Sequence, residues 1–204
     1  MSVTLHINGH DEEIANLKSD NLRDALRQAG YVSVRFGSHT GETGAAAILL
    51  DGRLVSADTL LVGQAIGHHI ETVECLNTRV GQLHPLQQAF IETGAIQSGY
   101  STPAMLLAAK SLLDKNPNPT EDEVRDALSG VLCRETGYVK PVQAILRAAA
   151  YLRGEQLPPP PGPLVVDATY SAGDPSKFGD SDDDNELFGP QPSVGSSSPM
   201  TQTQ

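Results

Sequence analysis

Residues 85–155 contain a succession of helix starts that leaves this chain few folds to choose from. Leu86, Ala89 and Phe90 fall at helical spacing after Pro85. Thr102-Pro103 begins a second helix with Pro at N1, followed by Met105, Leu106, Ala109, Leu112 and Leu113. Asn116-Pro117-Asn118-Pro119 breaks it, because proline removes a backbone donor and clashes with the preceding turn. Thr120-Glu121-Asp122-Glu123 is a capping box for a third helix with Val124, Ala127 and Leu128. Pro141 opens a fourth, running through Ile145, Ala149 and Leu152. Short amphipathic helices with short connections pack as a four-helix bundle.

The preceding segment, residues 1–76, has a different period. Val3, Leu5 and Ile7 alternate, and Asn8-Gly9 is a hairpin turn signal, with Ile14 and Leu17 in the return strand. A helix follows. Ser19 or Asp20 can cap it, Leu22, Ala25, Leu26 and Ala29 form its apolar face, and Gly30 stops it. Val32 to Phe36 leads into a Gly-rich loop, Gly37 to Gly44. The apolar run Ala45 to Leu50 turns at Asp51-Gly52 towards Leu54-Val55, and Ile70 to Val73 makes a closing strand. The expected class is α+β: a small mixed sheet crossed by a helix (1–76), a linker (77–84), and the bundle (85–155).

Residues 156–204 are of another composition. They hold a Pro run, seven acids against one Lys, and a Gly/Ser/Pro/Gln end. Their net charge is −6 of the chain's −11. Such a segment buries too little apolar surface to offset its ordering entropy and is expected to be a disordered tail. With no Trp and 4% aromatics, the core must be aliphatic. No apolar run approaches the roughly 20 residues of a membrane helix. The start, MSVTLHINGH, does not read as a secretory signal, so a cytoplasmic location is expected. A pI near 4.8 excludes the basic face of a nucleic-acid binder. The two cysteines, Cys75 and Cys133, cannot make a disulfide framework.

Several strings are highly specific. They are Gly37-x3-Gly41-Glu42-x-Gly44-Ala45, Asp51-Gly52, Leu83-His84-Pro85-Leu86-Gln87-Gln88-Ala89-Phe90, and Gly94-Ala95-Ile96-Gln97-x-Gly99-Tyr100-x-Thr102-Pro103. Asn116-Pro117-x-Pro119-Thr120 and Leu132-Cys133-Arg134-x-Thr136-Gly137-Tyr138 complete the set. Over residues 1–152 the chain resembles the small iron–sulfur subunit of the molybdenum hydroxylases, the family of xanthine dehydrogenase, aldehyde oxidoreductase and aerobic carbon monoxide dehydrogenase. The resemblance implies a β-grasp, plant-ferredoxin-like domain followed by a four-helix bundle. It also implies two [2Fe–2S] clusters, each on four Cys, and a large partner subunit binding a molybdenum–pterin cofactor, with a flavin subunit as a further partner.

The family's ligand positions map onto this sequence one by one. The first loop places Ser38, Thr43 and Ala46 where the family has Cys, and the fourth position falls on Asp58, or on Ala57 in the neighbouring register. The second set is Ser98, Ser101, Cys133 and Glu135. Seven of these eight positions are not Cys. Cluster iron is held by soft, anionic thiolate, whereas Ser and Thr hydroxyls are neutral at pH 7 and carboxylates are hard. The expectation is therefore no cofactor and no metal in this chain. Gln97, Cys133 and Arg134 match family residues that lie on the pterin side, so the docking face is expected to persist.

Other features have plainer readings. His68-His69 has no third ligand at a fixed spacing and reads as a solvated loop. His39 lies in the first loop, where a replacement metal site with Asp58 and Glu42 ranks low. His84 reads as a packing or capping residue. The Gly37–Gly44 loop lacks the Lys-Ser/Thr end and the helix of a phosphate cradle. Ser98 and Ser101 have no partner base at a motif spacing, so no catalytic residue is assigned. The function expected is a structural or assembly subunit of a xanthine dehydrogenase-like complex, not catalytic alone. Two alternatives are an electron-transfer subunit with a mixed-ligand cluster and a free-standing regulatory or assembly factor.

Overall fold

A computed structural model describes residues 2–15, 19–76 and 83–158. The sheet is built from β1 (Val3–Ile7), β2 (His10–Ile14), β3 (Ala47–Leu50), β4 (Arg53–Ser56) and β5 (His69–Glu71), in the order β2-β1-β5-β3-β4. The two hairpins turn at Asn8-Gly9 and Asp51-Gly52, all four residues at positive φ (52°, 84°, 50° and 74°). That matches the twist of a two-residue hairpin turn and explains Asn-Gly and Asp-Gly there. Strand β5 closes the sheet between them. It runs parallel to β1 (His6 opposite His69, Ile7 opposite Ile70) and antiparallel to β3. The mixed sheet expected from sequence is present, and α1 (Leu22–Gln28) packs Leu22, Ala25 and Leu26 into its core with Leu5, Ile7, Ile48 and Ile70.

The start of α1 differs from expectation. Neither Ser19 nor Asp20 caps it; Asn21 holds the N-cap position without a side-chain cap. The first helical N–H groups are taken by tertiary partners, Leu22 N donating to Leu60 O (2.9 Å) and Arg23 N to Ala57 O (3.2 Å). Every helix must satisfy these orphan donors, and the donor-to-carbonyl solution is invisible to a local motif. The short helix α2 (Val62–Ala65) and the 3-10 turn Val73–Leu76 also lack a signal in the sequence periods.

The second half folds as α3 (Pro85–Glu92), α4 (Thr102–Leu113), α5 (Glu121–Leu128) and α6 (Val139–Leu152). His84 caps α3, its Nδ1 accepting from Leu86 N (3.2 Å) while Gln87 bonds back to His84 N (3.0 Å). Thr120 and Glu123 form the expected capping box of α5. Two starts shift by a residue or two. Pro103 is the second residue of α4, and α6 begins at Val139, after Tyr138 in the left-handed region (φ 65°), with Pro141 inside its first turn. Helix α3 packs on α6, and α4 on α5 and on β3 and β4. The shared core holds Leu86, Phe90, Met105, Leu128 and Ile145, each fully buried and worth roughly 1.5–3 kcal/mol. The described residues belong to one compact unit. Among the described residues no helix is long and apolar enough to cross a membrane. Leu17, most of the 77–84 linker and the tail from residue 159 on lie outside the described residues.

One polar staple joins α3 to α6. Glu92 accepts from Gln88 Nε2 (2.7 Å), Tyr151 Oη (2.5 Å) and Arg147 Nε (2.7 Å). These donors, Gln88 and Tyr151 ahead of Arg147, hold the Glu92 carboxyl at about 2, against an ordinary value of 4.5. A depressed carboxyl stabilises the fold above its unfolded value and loses that contribution as pH falls towards the folded value. Urea midpoints of the full chain are therefore expected to drop between about pH 5 and pH 3. In Glu92→Gln that slope flattens, and stability at neutral pH falls by about 1–2 kcal/mol.

Candidate functional site

The eight mapped positions fall in two places. The second set comes together. Ser98 and Ser101 lie in the loop that enters α4, and Cys133 and Glu135 in the turn that enters α6. Ser98 donates to Glu135 Oε2 through both its hydroxyl (2.6 Å) and its backbone N–H (3.2 Å). Its hydroxyl oxygen in turn accepts from Tyr100 N (3.2 Å). Ser101, which is buried, donates to Cys133 Sγ (3.2 Å). Thr136 Oγ1 donates to the same sulfur (3.3 Å). Two side-chain pairs thus tie one loop to the other, where the family resemblance implies iron.

The turn is also clamped from within. Tyr138 Oη accepts from Cys133 N (2.7 Å) and donates to Val131 O (2.9 Å). Burial opposes ionisation of Cys133, but hydrogen bonds from Ser101, Thr136 and the 135–136 backbone outweigh it and pull the thiol below its ordinary value. Cys75 goes the other way. Burial and the neighbouring Glu71 push it up to about 11, so it is an inert packed thiol. Replacing Glu135 with Ala removes both bonds to Ser98. The expected cost is about 1 kcal/mol, with faster amide exchange confined to residues 97–101.

The first set does not meet in this way. Ser38 Oγ accepts from Glu42 N (3.1 Å), and Thr43 Oγ1 from Ala45 N (3.4 Å), so each bonds its own loop. Ala46 is buried and presents no donor atom in its side chain; its carbonyl accepts from Ala57 N (2.9 Å). Asp58 turns away from the loop to Arg23 on α1, whose Nη1 lies 2.5 Å from Oδ1. Both side chains are buried, and Arg23 also holds Asp24 (2.6 Å) and stacks over Phe36 (4.6 Å to the ring centre). Sequence reading missed Arg23. The only available signal was that a buried acid needs a cation, and nothing local says which.

The two places are in contact. Thr43 O accepts from Leu132 N (2.9 Å), Tyr100 Oη donates to Phe36 O, and Arg35 lies over the Tyr100 ring. A cavity of ≈190 Å³ lies between them, lined by Gly41, Gly44, Leu54, Ser56, Gly130 and Val131. Ile96, Tyr100, Leu132 and Val139 are exposed beside Gln97 and Arg134. Neither Gln97 nor Arg134 is engaged by another described side chain. His84, as expected, caps α3.

A [2Fe–2S] cluster held in the family's manner needs four thiolates. The second set offers one thiol, one carboxylate and two hydroxyls, and the first offers one carboxylate and two hydroxyls. Among the described residues no three His, Cys, Asp or Glu side chains meet to hold a metal ion. These residues do not fit a cluster bound in that manner.

Residues 72–146 match a family model described as a [2Fe-2S] binding domain. The chain is 43% identical over 150 residues to the nicotinate dehydrogenase small FeS subunit of Eubacterium barkeri, covering 73% of this chain and 94% of that one. It is 34% identical over 148 residues to the xanthine dehydrogenase iron-sulfur-binding subunit of Escherichia coli, covering 72% and 92%. The crystal structure of the aldehyde oxidoreductase of Desulfovibrio desulfuricans superposes with a TM-score of 0.71 at 38% identity, over 76% of this chain and 17% of that one.

These matches correct the expectation that no cofactor goes with this chain. The matching domain is defined by [2Fe–2S] binding, and both relatives carry iron–sulfur in their names. Together they point to [2Fe–2S] as the cofactor here. The expectation rested on thiolate counting alone, which reads donor atoms and not descent. Sequence identity, shape and the order of the motifs agree that the chain belongs to the family of small iron–sulfur subunits of the molybdenum hydroxylases.

Proposed function

We propose that this chain is the small subunit of a molybdenum-hydroxylase-type complex and that its part there is structural. The observation that carries this reading is the pair of side-chain bonds, Ser98 to Glu135 and Ser101 to Cys133, that fasten the two loops together. The exposed Ile96, Tyr100, Leu132 and Val139, with unengaged Gln97 and Arg134 between them, give those loops a face suited to a large partner. An apolar centre with polar groups among it is the usual make-up of a stable interface. We read residues 1–76 as a β-grasp domain, 77–84 as a linker, 85–155 as a four-helix bundle and 156–204 as a tail. The partner is the molybdenum-cofactor subunit, with a flavin subunit beside it, in the cytoplasm.

A second reading is electron transfer through a [2Fe–2S] cluster on mixed ligands. The convergence of Ser98, Ser101, Cys133 and Glu135 favours it, as does the family match. Anaerobically purified complex carrying Cys133→Ser, which leaves Ser101 an acceptor and removes the thiolate, separates the two. The structural reading expects turnover and the visible spectrum to be retained. Loss of an iron–sulfur absorption band together with turnover would overturn it in favour of the relay.

A further inference from the structure

The sheet brings together a row of side chains that the sequence scatters. In register across β2, β1 and β5 stand Asp11, His6 and His69: His6 is opposite Asp11 on one side and opposite His69 on the other. The flanking residues Leu5, Ile7 and Ile70 are buried in the core, so by strand alternation the row lies on the opposite face. His6 and His69 meet edge to face with ring centres 4.0 Å apart. His6 Nδ1 is 2.6 Å from Asp11 Oδ1, so with Nδ1–H donating to that carboxylate the neutral ring presents Nε2 as its lone pair. The ring of His69 makes no hydrogen bond to another described residue, while its backbone N–H is held by Asp51 Oδ1 (2.8 Å). Asp51 also holds His68 Nδ1 (2.6 Å), the neighbour of His69 in sequence.

We infer that His6 and His69 form a binding site for a borderline divalent cation of the zinc, nickel or copper class. Imidazole nitrogen is a preferred donor to such ions. A carboxylate on the far nitrogen of one of them is the outer-shell arrangement that fixes tautomer and ring orientation in metal sites. No third His, Cys, Asp or Glu joins them among the described residues, so the pair supplies two of the ion's ligands. The place also has a mechanical consequence. The parallel β1–β5 pairing, with His6 opposite His69 and Ile7 opposite Ile70, joins the first hairpin to β5, and a bridging ion would staple it. The sequence pair His68-His69 lacked a third ligand at fixed spacing; β1 supplies an imidazole that no spacing rule could find.

The test is calorimetric titration of the full chain with zinc chloride at neutral pH, beside His6→Ala, His69→Ala and the distant His39→Ala. One site is expected in the wild type and in His39→Ala, and none in the other two. His69 is exposed, so its variant keeps the fold even where the partly buried His6 is less tolerant. Asp11→Asn, which keeps both imidazoles, is expected to weaken zinc about tenfold. No zinc heat in the wild type, or heat unchanged in His69→Ala, would overturn the inference.

Discussion

Gly44→Ala is expected to cost about 3 kcal/mol and to lower the thermal midpoint by roughly 6–12 °C. Gly44 has φ +64°, and a Cβ built there lies 1.9 Å from the Gly130 carbonyl oxygen and 3.2 Å from Val131 Cα. Both obstacles are backbone, which cannot rotate aside as a side chain can. The clash falls where Thr43 O accepts Leu132 N, so the alanine also pushes the 130–133 turn away from the Gly-rich loop. Gly9→Ala is the control. It has φ +84° and nothing within 4 Å of the added Cβ. It bears the left-handed penalty alone, about 1 kcal/mol. Thermal unfolding of the two variants should differ by about 2 kcal/mol. Equal losses would mean that the two loops are not interlocked at this point.

Arg23→Met is the second large effect. It strips Asp58 of its cation while leaving the carboxylate buried. Removing one member of a buried pair costs about 3–5 kcal/mol, because the stranded charge has neither water nor a partner. Asp58 Oδ2 already lacks a hydrogen bond, so no second donor takes over. The double variant Arg23→Met/Asp58→Asn should recover most of the loss, since a neutral amide tolerates the site. Chemical denaturation of the single and double variants reads the coupling directly. A single variant within 1 kcal/mol of the wild type (a surface-like outcome) would contradict a buried pair at Asp58.

Much of the fold was legible because the signals were local. Asn8-Gly9 and Asp51-Gly52 demand positive φ, the Thr120–Glu123 box satisfies helix donors within four residues, and the aliphatic periods mark the core faces. What was missed is tertiary. Leu60 and Ala57 carbonyls cap α1, Arg23 finds Asp58 across 35 residues, and Tyr138 folds its phenol back to clamp Cys133 N. Helix α2 is a single turn, too short for a period to show. The candidate site was legible in a different sense. The family resemblance mapped ligand positions onto Ser98, Ser101, Cys133 and Glu135, and the structure pairs Ser98 with Glu135 and Ser101 with Cys133. The same resemblance mapped the first set onto Ser38, Thr43, Ala46 and Asp58, yet Asp58 pairs with Arg23 of α1 and not with the loop. Spacing locates a loop; it does not say which way a replaced side chain turns. Nor did counting thiolates predict the cofactor that the family match points to.

The measurement that bears most directly on a structural place in a larger complex is anaerobic affinity purification of the tagged full chain from its native host. Subunit masses and molybdenum would be measured in the same peak. A large molybdenum-bearing chain in one-to-one ratio is expected with the wild type, and loss of that chain is expected when Arg134→Glu puts an opposite charge on the exposed 132–138 turn. A chain that elutes alone, or a complex that Arg134→Glu leaves intact, would contradict the proposed docking face.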